Sequence, residues 1–356
     1  MEKKRVVWIE LLRIAACFGV VVLHAASQHF RDVPVDTFVW KVSNFYHGIS
    51  RFAVACFIMI SGALYLDKKR TWNLKKLWLK NILSVAVAYV FWQIFYGGYR
   101  IVITGNSGRG AVWIVKKMLV YVSDAYFHLW YLPMLIGLMI ITPLLWEFVN
   151  CKRGKQWEEY LIILFLIFKI LPYTAAYFPL PWIDHIKALM NTVQPDLVTD
   201  FAGYFILGHY LYEYGLPEKL ERLVYVLGVV FIAGGIGLCQ WKALEQNSAV
   251  QSFYENYTLA AFFWSAAVFL FFRNHIGRIH WSEKKAEIIC YLGGCTFGIY
   301  LIHAFFRDIL HRAGFDSMFI NNTAIAVPVV AAVIFVTSLI AVILIRHIPV
   351  LKKWIV

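Results

Sequence analysis

Apolar residues in this chain fall in long runs, not in the alternating or one-face patterns of water-soluble strands and helices. A helix needs roughly 20 residues to cross about 30 Å of hydrocarbon. Runs of that kind cover residues 6–26, 45–66, 81–103, 128–149, 158–176, 198–215, 223–240, 257–273, 289–310 and 323–345. The pattern predicts an all-α fold, a polytopic membrane helix bundle of about ten transmembrane helices, because in lipid every backbone group must be satisfied within its own span. The segment 111–122, Ala-Val-Trp-Ile-Val-Lys-Lys-Met-Leu-Val-Tyr-Val, is too short and too charged to cross, and it reads as an amphipathic helix lying in the interface. No stretch between the runs is long enough to fold by itself, so residues 1–356 read as a single integral membrane domain without a separate soluble part.

Composition agrees with the pattern. The chain is 61% hydrophobic and 15% charged, against roughly half and a quarter in a soluble domain. Its mean hydropathy is +0.64. A net charge of +13 on so apolar a chain points to cytoplasmic loops and anionic lipid headgroups, so membrane lipids are expected partners and nucleic acid is not. With the N-terminus in the cytoplasm, the cytoplasmic clusters hold 21 of the 34 Lys and Arg residues, and the opposite side with its helix ends holds 11. That loop-by-loop bias predicts an N-in/C-in arrangement with an even number of spans. The basic residues 1–5 precede a long apolar run with no small-residue cleavage site, which reads as a retained first span. Six cysteines show no CxxC or zinc-like spacing, and most fall in spans as small apolar residues; no metal site is expected.

Polar residues inside the runs change the picture. The first span carries Glu10, Arg13 and His24. An Arg or Asp at the centre of a span costs about 2.5–3.5 kcal/mol on insertion scales, so such groups persist only with a partner or a use. Glu10 and Arg13 are three residues apart and can meet. Arg13 and His24 are eleven apart, which at about 100° per residue returns to within about 20° of the same face, with an axial separation of about 16.5 Å. They therefore serve different depths of one polar stripe. An ion pair that merely fixes helix packing is the competing reading for Glu10–Arg13, and an ordinary interhelical hydrogen bond is the competing reading for His24. Lys169 also lies mid-span, with no partner apparent from the sequence.

The pattern Glu-x-x-Arg-x10-His in a first span resembles the acyltransferase-3 family of membrane O-acyltransferases. Three further segments resemble family motifs. Arg51-Phe-Ala-Val-Ala-Cys-Phe-Ile-Met-Ile-Ser-Gly62 is similar to a second-span ending in Ser-Gly, and His128-Leu-Trp-Tyr131-Leu is similar to an H-L-W-Y-L span. Thr296-Phe-Gly-Ile-Tyr300-Leu-Ile-His303 is similar to a late S-x-x-I-Y-L-x-H span. The likeness runs in order through essentially the whole chain and is to the short form that O-acetylates surface-polysaccharide sugars. It implies acyl transfer, with acetyl-coenzyme A as co-substrate, no tightly bound cofactor, a glycan or lipid-linked sugar acceptor, and residence in a bacterial cytoplasmic membrane. It assigns catalysis to His24, Arg13 and Glu10, with His24 as general base or transient acyl carrier, for which imidazole suits both roles. It places the acceptor against His128, Trp130, Tyr131, Tyr300 and His303. Donor phosphates fall to Lys76 and Lys80, where relatives usually carry Arg and Lys supplies a point charge without a bidentate fork.

Plainer readings stand beside these. Trp130 and Tyr131 fit the aromatic belt of any membrane protein, the basic residues of 67–80 fit lipid headgroups, and Ser61-Gly62 fits close helix packing. A transporter of a small polar metabolite or amino acid is the alternative function, with Glu10, Arg13, His24 and Lys169 as relay groups. The chain shows no inverted pair of Gly/Pro-broken helices, which weighs against that alternative.

Overall fold

Thr37, Asn73, Thr258 and Asn322 each accept a hydrogen bond from a backbone N–H two or three residues on, and each stands where a helix begins. These caps help to set the helix starts in a computed structural model that describes residues 6–355, apart from 107, 125 and, between 179 and 199, all but 181, 182, 184, 185, 188 and 192. The chain runs through α1 (Val7–Ala26), α2 (Phe38–Ile49), α3 (Phe52–Tyr65), α4 (Leu74–Ile103), the short α5 (Ala111–Ser123) and α6 (Tyr131–Asn150). Helix α7 runs from Gly154 through a π-helical stretch, Leu166–Ile170, to Ala175. Then follow α8 (Phe201–Glu213), α9 (Glu218–Gln246), α10 (Leu259–Asn274), α11 (Glu283–Arg312), α12 (Thr323–Arg346) and α13 (Pro349–Trp354). No strand occurs among the described residues.

Eight helical stretches among the described residues are long and apolar enough to cross a membrane: α1, α2 with α3, α4, α6, α9, the stretch around α10, α11 and α12. Two of the ten expected spans take a different form. The run at 158–176 is α7, about 33 Å long, whose first turns carry charged residues. The run at 198–215 is α8, only 13 residues or about 20 Å, and almost wholly buried; its apolarity serves protein packing instead of lipid contact. The expected span 45–66 starts earlier, at Phe38, and breaks at Ser50 and Arg51 before resuming as α3. The segment 111–122 forms α5, none of whose residues is buried within the protein. The basic residues 1–5 and Lys187, counted in the charge bias, lie outside the described residues.

Helix α1 is the axis of the bundle, packed against α3, α11 and α12. The tightest seam lies between α3 and α8. A Cβ on Gly62 would overlap the carbonyl of Phe205, and one on Gly208 would overlap the backbone of Met59. The two glycines thus let the backbones touch from both sides, and Gly62 does the packing its Ser-Gly motif suggested. Lys169 gains a partner that sequence reasoning did not supply. Its ammonium lies 3.9 Å from Asp200, just before α8, and 4.7 Å from the Tyr257 ring.

Candidate functional site

Arg13 and His24, predicted to share one face of α1, line one cavity of about 290 Å³ together with Ser61 of α3, His128, Tyr131 of α6 and Tyr300 of α11. Glu10 lies beside it, 4% exposed, and accepts from Arg13 Nη1 through both oxygens at 3.1 and 3.3 Å. Gly293 of α11 makes the space for that carboxylate: a Cβ there would stand 2.9 Å from Glu10 Cβ and 3.1 Å from Cδ. The ion pair is therefore seated by shape as well as charge, and it leaves Arg13 facing the cavity with a quarter of its side chain exposed. A half-buried guanidinium with one side on a carboxylate retains free N–H donors for an anionic or carbonyl oxygen.

The His24 ring stacks on His303 at 5.3 Å between centroids and meets the edge of Phe127 at 5.0 Å. It makes no hydrogen bond to protein among the described residues. Packing thus holds the ring while leaving its nitrogens available. Behind it, His303 is fully buried, with Nδ1 2.7 Å from the Tyr300 carbonyl and Nε2 without a partner. The His128 ring stands 5.0 Å from that of His303. Its Nε2 lies 3.3 Å from the Leu301 carbonyl, and Tyr300 donates its hydroxyl to the carbonyl of His128. The segments His128–Tyr131 and Tyr300–His303 consequently lock each other, and three imidazoles collect at one depth.

The expected residues separate into three groups. Arg13, His24, His128, Trp130, Tyr131 and Tyr300 line the cavity. Glu10 and His303 are not in the lining of that cavity and instead contact Arg13 and His24. Lys76 and Lys80 are exposed at the start of α4 and border neither the cavity of Arg13 nor the one described next. Among the other basic residues of that segment, Lys68 is engaged with Glu213 at 2.6 Å, whose hydrogen bond and charge hold its ammonium above the usual lysine range. Arg70 lies against the rings of Tyr65 and Trp72, 4.3 and 4.6 Å from their centres.

A second cavity of about 570 Å³ opens on the far side of His24. It shares Val20, His24, Val54 and Trp130 with the first, so the imidazole stands where the two meet. Its wall includes Arg51, Arg307 and His47, which sequence reasoning did not assign to a site. Arg51 had appeared as the first residue of a motif, and both arginines are among the 11 basic residues counted opposite the cytoplasmic clusters. A pairing of Glu158 on α7 with His209 on α8 also went unnoticed: the two lie 2.9 Å apart, and both are buried. His209 in the apolar string Phe-Ile-Leu-Gly-His-Tyr was the available signal. A larger groove, of about 1200 Å³, runs beside the start of α1, lined by residues of mixed charge between 276 and 290.

A protein-family model described as an acyltransferase domain matches residues 6–347, nearly the whole chain. No curated protein and no solved structure matches it.

Proposed function

The chain belongs to the acyltransferase-3 family, and on that premise we propose that it moves an acyl group, acetyl in the simplest case, from cytosolic acyl-coenzyme A to a hydroxyl of a cell-surface or lipid-linked glycan. It is a multi-pass membrane acyltransferase, and we place it in a bacterial cytoplasmic membrane. The observation that carries the proposal is the position of His24, with one cavity running back to Arg13 and another opening outward from the same ring. A transferase that takes its donor from one side and its acceptor from the other needs its proton-handling group at such a junction.

In the proposed step the acceptor hydroxyl attacks the thioester carbonyl. The O–C bond forms, the C–S bond breaks, His24 takes the hydroxyl proton, and that proton then passes to the departing coenzyme A thiolate. Arg13 stands along the donor cavity, where its free N–H groups stabilise negative charge developing on the carbonyl oxygen or hold the donor. Trp130, which borders both cavities, offers a ring face to a sugar, and Tyr131, His128 and Tyr300 shape the wall on the donor side. Lys76 and Lys80, exposed at the start of α4, meet donor phosphates as point charges.

Purified protein in lipid nanodiscs, given radiolabelled acetyl-coenzyme A and membranes of a deletion strain as acceptor, tests this directly. His24→Ala and His24→Gln are expected to lose transfer, and surface glycans of the deletion strain to lose an acyl mass increment that the wild-type gene restores. Wild-type transfer by either variant would remove His24 from the mechanism. Labelled acyl retained on denatured wild-type protein, and absent from His24→Gln, would assign the group's passage to an acyl-imidazole.

A further inference from the structure

The outer cavity carries a charge that the transfer step does not need. Arg31, Arg51 and Arg307 line it, against Asp32 as its acidic lining residue. None of the three guanidinium groups has a carboxylate partner among the described residues. Arg51 Nη2 donates to the amide oxygen of Gln251 at 3.2 Å, and its guanidinium lies 5.2 Å from the Tyr254 ring centre. Arg307 lies 4.7 Å from the centre of the Phe127 ring, the same ring whose edge meets His24. The Nε atoms of both arginines are buried without a hydrogen-bond acceptor.

Lipid anchoring does not explain this set. In the N-in arrangement expected from the charge bias, this cavity lies opposite the basic loops, where Lys and Arg are depleted in membrane proteins, yet three arginines from three separate segments line it. Arginine in preference to lysine is the choice for oxyanions, because its planar fork donates two parallel hydrogen bonds. His47 adds a second feature. It is 3% exposed and stacks on Phe30, with rings 4.4 Å apart. Ser27 Oγ donates to the Leu23 carbonyl, and His47 Nε2 lies 2.7 Å from the same Oγ, so the imidazole is held in the cavity wall beside the arginines. Cations for an oxyanion thus stand in one cavity with the proposed general base.

Building on the acyltransferase reading above, we propose that the acceptor is a phosphorylated sugar, its phosphate or pyrophosphate held by Arg51 and Arg307, with Arg31 at the mouth, so that a sugar hydroxyl is presented to His24. The phosphate belongs either to a soluble sugar phosphate or to a lipid-linked sugar; the chemistry recognised is the same. The cavity field draws such anions in and rejects cationic sugars.

Binding to the purified protein in zwitterionic nanodiscs, without acyl donor, tests this separately from catalysis. The probes are N-acetylglucosamine, N-acetylglucosamine 1-phosphate, glucuronic acid and farnesyl-pyrophosphoryl N-acetylglucosamine. The phosphorylated sugars are expected to bind at least about tenfold more tightly than N-acetylglucosamine, with a preference that shrinks as salt rises. Arg51→Gln and Arg307→Gln are expected to bring the phosphorylated and neutral sugars to near-equal affinity, while acetyl-coenzyme A binding stays at the wild-type level as proof of a folded protein. A gain of the lipid-linked probe over the soluble phosphate identifies the lipid-linked source, and parity identifies the soluble one. Equal affinity for phosphorylated and neutral sugars, tighter binding of glucuronic acid than of either phosphate, or a phosphate preference that survives both substitutions overturns the proposal. Failure of acetyl-coenzyme A to bind, with the phosphate preference intact, would count against the acyltransferase reading and leave the anion site standing.

Discussion

Glu10→Gln keeps the volume of the side chain and removes the negative charge beside Arg13. In the structure one nitrogen of Arg13 meets both carboxylate oxygens, at 3.1 and 3.3 Å, in a pocket where Glu10 is 5% and Arg13 23% exposed by side chain. A fully exposed pair would contribute at most about 1 kcal/mol, and breaking a fully buried one costs about 3–5 kcal/mol. With one partner buried and the other partly wet, the charge-assisted hydrogen bond is worth about 1.5–3 kcal/mol. If Glu10 serves to aim Arg13 at the transition state, kcat/KM falls by about 10- to 100-fold, at 1.36 kcal/mol per decade. Thiol release from acetyl-coenzyme A, measured in nanodiscs with deletion-strain membranes as acceptor, reads that change. The double variant Glu10→Gln, Arg13→Ala is expected to be no worse than Arg13→Ala alone, because a positioning group has nothing left to position. Gly293→Ala is expected to mimic Glu10→Gln, since the added methyl meets the Glu10 side chain where it packs on α11. Full activity in Glu10→Gln, or losses that add in the double variant, would refute the positioning argument.

Gly62→Ala forces α3 away from the Phe205 carbonyl of α8, and overpacking of this kind costs about 1–3 kcal/mol; a lower thermal midpoint in detergent is expected, whereas Gly237→Ala, with nothing within 4 Å, serves as the unaffected control. His209→Leu leaves the Glu158 carboxyl buried without its partner, a loss of about 3–5 kcal/mol, and the added change Glu158→Leu is expected to restore most of the thermal midpoint. Asp316, in the loop between α11 and α12, is reached by His29 and His311 at 3.0 and 3.1 Å and clips two loops together. Burial pushes its carboxyl up, but hydrogen bonds from His29 and the Met318 N–H, with the charges of both histidines, outweigh this and hold it below the usual range. A depressed carboxyl stabilises the fold above the unfolded value of about 4 and loses that contribution as pH falls through its lower folded value. Asp316→Asn is therefore expected to lower the thermal midpoint at pH 7 and to flatten its decline toward acid; an unchanged pH profile would remove the clip from the account.

The parts of this molecule that were legible in advance are those governed by one helix at a time. Long apolar runs located the spans because hydrocarbon makes the same demand everywhere along the chain. Helical periodicity put Arg13 and His24 on one stripe because that relation involves a single backbone, and the three-residue spacing of Glu10 and Arg13 did the same for their pair. What hydropathy cannot distinguish is lipid from protein as the apolar neighbour, and so α8, buried against α3, looked like a span although it is about 20 Å long.

Relations between helices were a different matter. Lys169 finds Asp200, and Glu158 finds His209, across some 30 and 51 residues, and no periodicity connects them. The break at Ser50 and Arg51 was announced only by Gly48, a residue common inside membrane helices, yet Arg51 at that break lines the cavity with Arg307, more than 250 positions later. Where inter-helix geometry was anticipated, at His128–Tyr131 and Tyr300–His303, the anticipation came from resemblance to a family and not from physics. The structure supplies the missing reason, because the Tyr300 hydroxyl bonds the His128 carbonyl and the Leu301 carbonyl accepts from both His128 and Tyr96. Two motifs that looked like independent signals are one interlocked unit. A substitution in either is therefore expected to disturb the other before it touches any substrate, so loss of activity at Tyr300 is evidence about architecture unless the His24 environment is shown to be intact.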